Sequence, residues 1–115
     1  MLEFPASMRI DRIELFHLRL PLVHFFETSF GRVHDKETVI VALHAGGIAG
    51  YGEAPAERAP YYSSETTETE WHVLRDFLVP ALVAVGTLPE PADVPRLFAR
   101  VRGHGMAKAG LEMAV

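Results

Sequence analysis

The hydrophobic period of this chain changes once, and the change divides it into two kinds of structure. Up to Ala54 apolar residues mostly alternate with other residues; from Thr67 they recur at helical spacing, with Trp71, Leu74, Leu78 and Leu82 on one face. Strands first and helices afterwards predict an α+β fold, a three-stranded antiparallel meander followed by a helical bundle. A length of 115 residues has room for one such domain.

Within the first half, Arg9 to Leu20 carries apolar residues at Ile13 and Leu15 and then at Phe16, Leu18 and Leu20, which reads as a strand with a one-residue bulge between the two sets. Residues 21 to 37 open with Pro21, gather Thr28, Ser29 and Gly31, and read as a long loop, unusual in holding Phe25, Phe26 and Phe30. Thr38 to His44 is rich in β-branched residues and reads as a second strand; Ala45, Gly46 and Gly47 supply a turn into a third, glycine-rich strand from Ile48 to Ala54.

In the second half a capping box from Thr67 to Glu70 opens the first helix, and Pro80 predicts a break or kink before it. Asp93 can cap a second helix with Leu97, Phe98 and Val101 facing inward, closed by Gly103. A third begins near Met106 and reaches Val115 without a stopping residue, so the reading is a piece of a longer protein. Its Met106, Ala109, Gly110 and Met113 form a face of small and flexible residues suited to packing against something further along the chain. Residues 1 to 7 read as a loose leader.

Charge and composition narrow the function. Eleven basic residues against 15 acidic ones give a net charge of -4, which offers no footprint for a nucleic-acid backbone or an anionic membrane. With no cysteine there is no thiolate metal site or thiol nucleophile. The apolar runs Val39 to Leu43 and Phe77 to Val85 fall short of the roughly 20 residues a bilayer needs. A cytoplasmic location is the expectation.

Candidate chemistry is sparse. His17, His24, His34, His44, His72 and His104 show no i,i+4 helical or short-loop spacing of a dedicated zinc site. Gly46, Gly47, Gly50 and Gly52 lead into a strand rather than a helix, which argues against a phosphate-binding loop. Glu65, Glu68, Glu70 and Asp76 surround a helix start and read as a solvated first turn. Two segments stand apart: the phenylalanines of 21 to 37, and Arg58 to Ser64 with Pro60, Tyr61 and Tyr62. Aromatic residues in two separate loops either cover a ligand or form a satellite cluster over the domain's own helices, and both readings stay open.

The stretches PLVHFFETSFG at 21 to 31, GYGEAP at 50 to 55, PYYSSET at 60 to 66, HVLRDFLVPAL at 72 to 82 and GHGMAKAGLEMA at 103 to 114 resemble, in order and spacing, the N-terminal capping domain of the enolase superfamily. Within the superfamily they resemble the branch of o-succinylbenzoate synthases and N-acylamino acid racemases, and the resemblance covers residues 8 to 115. It implies a cap over the mouth of a (β/α) barrel. There, two lysines act as acid and base, and three carboxylates hold a magnesium ion that stabilises an enediolate. By the same resemblance none of those catalytic or metal-binding groups is expected in this chain, which would be cut before the barrel. The resemblance further implies a small carboxylate substrate in the full-length enzyme and a link to menaquinone biosynthesis. Phe26, Ser29, Phe30, Glu57 and Tyr62 become lid-loop residues, and Glu57 with Arg58 makes its stretch unusually charged. Homo-oligomer formation is left open, as are two alternatives: a non-catalytic binding or interaction module, and a dipeptide-epimerase-type relative.

Overall fold

The computed structural model describes residues 8–28 and 31–115, with side chains described outside 23–34. Three antiparallel strands, β1 (Ile10–Thr28), β2 (Gly31–Ala45) and β3 (Ile48–Ala54), form one sheet in the order β1-β2-β3. Helices follow: α1 (Thr67–Val73), a π turn (Leu74–Leu78), α2 (Val79–Val85), a 3-10 turn (Pro91–Asp93), α3 (Val94–Leu97) and α4 (Gly105–Ala114). The α+β architecture read from the change of period is the observed one. Val39, Val41, Leu43 and Ala45 of β2 are buried together with Leu74, Leu78 and Leu82 on one side and Ala107, Leu111 and Ala114 on another.

The first hairpin differs from its sequence reading in two ways. Residues 21 to 37 are not one long loop, because β1 continues to Thr28 and β2 begins at Gly31. Leu18 pairs with Thr38 and Pro21 with Asp35; after an irregularity between Pro21 and Phe26 the ladder resumes at Phe26–Val33 and closes at Thr28–Gly31. Pro21 has no N–H to donate, so the ladder breaks next to it while the strand direction is kept. The expected bulge between Leu15 and Phe16 is also absent, since the register runs uninterrupted from Arg12–His44 to Pro21–Asp35. Simple alternation instead sends Ile13 and Leu15 into the core and leaves Phe16, Leu18 and Leu20 41%, 38% and 47% exposed on the opposite face.

The turn into β3 is as expected: Gly46 and Gly47 have φ of +58° and +78°, the left-handed pair a tight hairpin turn requires. The cap of α1 is one residue earlier than expected. Thr66 accepts a hydrogen bond from Thr69 N at 3.2 Å, and Thr69 Oγ1 accepts from Thr66 N at 2.8 Å. The kink expected before Pro80 takes the form of the π turn, in which Val79 N donates to Leu74 O, five residues back, and the helical path continues through the proline. Asp93 precedes α3 without a side-chain cap bond, and α3 ends at Leu97 after one turn rather than at Gly103. Val94 and Phe98 are its buried anchors, with Leu97 and Val101 half-buried.

Helix α4 lies directly on β3. A Cβ built on Gly52 would sit 1.8 Å from Gly110 O, and one on Gly50 would sit 2.1 Å from Ala114 O. Glycine is therefore required at both positions to let the two backbones touch. The buried face of α4 is Ala107, Gly110, Leu111 and Ala114, so Gly110 is used inside the domain rather than on the expected outer face. Of that face, Ala109 and Met113 are exposed and Met106 is half-buried.

Replacing Gly52 with alanine should cost about 3 kcal/mol through overpacking against immovable backbone, whereas Gly105→Ala, which meets open space, should change stability by less than about 1 kcal/mol. Chemical denaturation of the two variants checks this, and equal midpoints would show that α4 shifts freely over the sheet.

Candidate functional site

β3 ends at Ala54, opposite Val39, and Pro55 starts a segment that leaves the sheet and reaches α1 at Thr67. Its first residues are fastened from below. Ala56 is buried; its N–H donates to Glu70 Oε1 at 3.0 Å and its carbonyl accepts from Thr67 Oγ1 at 3.0 Å. The carbonyl of the half-buried Glu57 accepts from Thr67 N at 2.9 Å. The far end is fastened by Glu65, whose carboxylate accepts from Met106 N at 2.9 Å and Ala107 N at 3.0 Å in the first turn of α4. Charge on that carboxylate matches the positive end of the helix. Between the two fastenings, Tyr61 and Tyr62 are each 70% exposed.

Glu65 and Glu70 therefore depart from the solvated first turn expected of them; both are buried, while Glu68 and Asp76 are exposed. A glutamate preceding a helix reads as ordinary surface charge, and only the fold shows that Glu65 faces a second helix 41 residues away. Glu70 is the more unusual of the two, with Oε2 buried and without a hydrogen-bond partner. Burial pushes its carboxyl up to about 7; the Ala56 N–H pulls it down, and the charges of Glu65 and Glu53 add to the upward shift.

A second set of polar contacts joins this segment to the first hairpin. Arg58 donates from Nε and Nη2 to Glu37 Oε1 at 2.9 and 2.5 Å, and His17 Nε2 lies 3.2 Å from Glu37 Oε2. The Arg58 guanidinium, with His17 second, holds the Glu37 carboxyl below its ordinary range. The sequence reading singled out Arg58 for its charge, took Thr67 and Glu70 only for a capping box and a solvated first turn, and passed over Glu37. A lone arginine in an aromatic loop was the available signal; its partner, 21 residues earlier, had none.

Among the lid residues chosen from sequence, Glu57 and Tyr62 lie on the 55–65 segment. Ser29, Phe30 and the Phe26 side chain lie outside the described residues; the Phe26 backbone is in β1, paired with Val33. The histidines that are described have local partners: His44 Nε2 is 2.6 Å from Glu14 Oε1, and His72 Nδ1 is 2.8 Å from Asp76 Oδ2. Among the described residues no group of three or more His, Cys, Asp or Glu could hold a metal ion, and no helix is long and apolar enough to cross a membrane.

The profile of the mandelate racemase / muconate lactonizing enzyme N-terminal domain matches residues 12–115. The chain is 43% identical, over 95% of its own length, to an o-succinylbenzoate synthase of Geobacillus kaustophilus. It is 40% identical, over 94% of its length, to an N-succinylamino acid racemase of Amycolatopsis. In each case it spans only 29% of the relative. A solved structure of an unknown member of the enolase superfamily from Enterococcus faecalis superposes with a TM-score of 0.83 at 36% identity, covering 95% of this chain and 30% of that one.

Glu70 gives this site a pH signature. Unfolded, the carboxyl titrates near 4.5, and folded near 7, so between these values only the folded state holds the proton and stability falls as pH rises. The contribution is fully present below the lower value and lost above the upper one. Glu70→Gln keeps an acceptor for Ala56 N and carries no charge. Its stability relative to the unaltered protein should therefore rise between about pH 5 and about pH 8. Parallel denaturation midpoints across that range would refute a buried, proton-holding Glu70.

Proposed function

Because this chain belongs to the mandelate racemase / muconate lactonizing enzyme N-terminal domain family of the enolase superfamily, we propose that it is the substrate-specificity cap of a larger enzyme. The proposed parent is a magnesium-dependent o-succinylbenzoate synthase or N-acylamino acid racemase, in line with the names borne by the relatives just described. The observation that carries the reading is the 55–65 segment: its backbone is fastened at both ends while Tyr61 and Tyr62 project into solvent. Exposed aromatic rings on a held backbone suit a surface that closes on a ligand.

In this reading the chain's residues bind and exclude rather than transform. Tyr62, Phe26 and Phe30 cover the apolar part of a small carboxylate substrate, and closure keeps water from the reacting centre. Ser29 and Glu57 complete the polar side of the same loops. In this reading the magnesium ion belongs, with the acid and base groups, to a barrel domain of the larger enzyme. Bound there, it would stabilise the negative charge that develops when a proton leaves the carbon next to a carboxylate. The sequence of the cap does not separate synthase from racemase, since both start with that proton abstraction.

A full-length protein carrying this cap should turn over an o-succinylbenzoate precursor or N-succinylated amino acids only when magnesium is supplied, and the 115-residue chain should turn over neither. Magnesium-dependent conversion by the short chain would overturn the division of labour.

Tyr62→Ala in the full-length protein should lower kcat/KM by roughly 5- to 150-fold if the ring is buried against the ligand, equivalent to about 1–3 kcal/mol. Wild-type efficiency and an unchanged preference between succinylated and acetylated substrates would assign the ring to surface packing instead.

A further inference from the structure

Glu37 stands where two separate stretches of chain meet. It lies on β2 opposite Arg19, in the part of the hairpin that extends past the end of β3, on the same face as Val39. Its carboxylate oxygens serve different neighbours: Oε1 takes both donors from Arg58, and Oε2 faces His17 on β1. The Glu37 side chain is 15% exposed, against 66% for Arg58. An ordinary surface ion pair contributes little, because two mobile side chains must be held in high dielectric. Here the acceptor is largely covered, two guanidinium N–H groups converge on one oxygen, and His17 is itself beside Trp71 of α1, with ring centroids 6.1 Å apart.

Arg58 follows directly on the fastened stretch Ala56–Glu57 and precedes the exposed tyrosines. The backbone bonds of Ala56 and Glu57 tie the segment to α1. Of the contacts described above, only that of Arg58 ties it to the β1–β2 hairpin. We propose that Glu37 is a positioning residue that ties the 55–65 segment to the base of the β1–β2 hairpin, so that the border of the substrate pocket formed by this segment is held in its place. The proposal rests on the cap reading above for its role in substrate binding, while the coupling itself concerns this chain alone. Glu37 acts through Arg58, and no contact of its own with substrate is involved.

The test is a charge swap in the full-length protein: Glu37→Arg, Arg58→Glu and the double variant, with Glu37→Gln as a milder form in case the reversed charge disturbs folding near Arg19. Amide hydrogen exchange over residues 56–64 is read first. Coupling requires faster exchange in Glu37→Gln and in each swap, and recovery in the double swap; unchanged exchange in the single variants, or no recovery in the double, overturns it whatever the activity. KM and kcat are then measured on a succinylated substrate. The proposal requires KM to rise roughly three- to tenfold in the single variants, more than kcat falls, and to recover in the double swap. KM values equal to wild type, alongside altered exchange, would overturn the substrate role and leave a structural tie. Turnover by the unaltered protein is recorded beforehand; its absence refutes the cap reading and the substrate role with it, while the exchange data judge the coupling separately.

Discussion

Contact between the backbones of β3 and α4 is the constraint on which the rest of this domain depends. Gly50 and Gly52 leave no Cβ between strand and helix, so the carbonyls of Gly110 and Ala114 approach the sheet directly. That closeness sets where α4 begins, and its first turn presents the N–H groups of Met106 and Ala107 to Glu65. Glu65 in turn closes the segment that left the sheet at Ala54. Sheet, last helix and exposed loop thus form a chain of fixed distances, each link made of backbone or of a buried carboxylate.

The same segment is held at its start by groups that are costly to bury. Thr67 spends its hydroxyl on the Ala56 carbonyl, and Glu70 gives one oxygen to the Ala56 N–H and leaves the other without a partner. A buried polar atom without a partner destabilises a fold by about 1–3 kcal/mol, so an apolar residue at position 70 would serve packing better. What Glu70 does supply is an acceptor at the one place where the chain turns away from β3. The outer face of the sheet shows the reverse pattern: Phe16, Leu18, Leu20 and Tyr51 are exposed, and no described element covers them.

Much of the architecture was legible from the period of the apolar residues. β3, its glycine turn, the Leu74–Leu78–Leu82 face and the extent of α4 were read nearly as they stand. The long hairpin was not, because Pro21, Thr28, Ser29 and Gly31 are turn-forming types and the ladder there needs only backbone to continue. The apparent bulge came from apolar residues on both faces of β1, a pattern that local alternation cannot tell from a slip in parity. Adjacent threonines at 66 and 67 concealed which one caps α1. As for the site, sequence located Glu57 and Tyr62 on a distinctive segment, but it could not show Glu37, Glu65 and Glu70 as its fastenings, because each works through a partner distant in sequence.

The central claim, that two segments of this domain close over a substrate held elsewhere in a longer protein, is tested most directly by a crystal structure of the full-length protein with an unreactive succinylated carboxylate bound. The account predicts that Tyr62 and the tip of the β1–β2 hairpin both lie within about 4 Å of the ligand, with Arg58 still on Glu37. A ligand bound with both segments turned to solvent, away from its pocket, would contradict it.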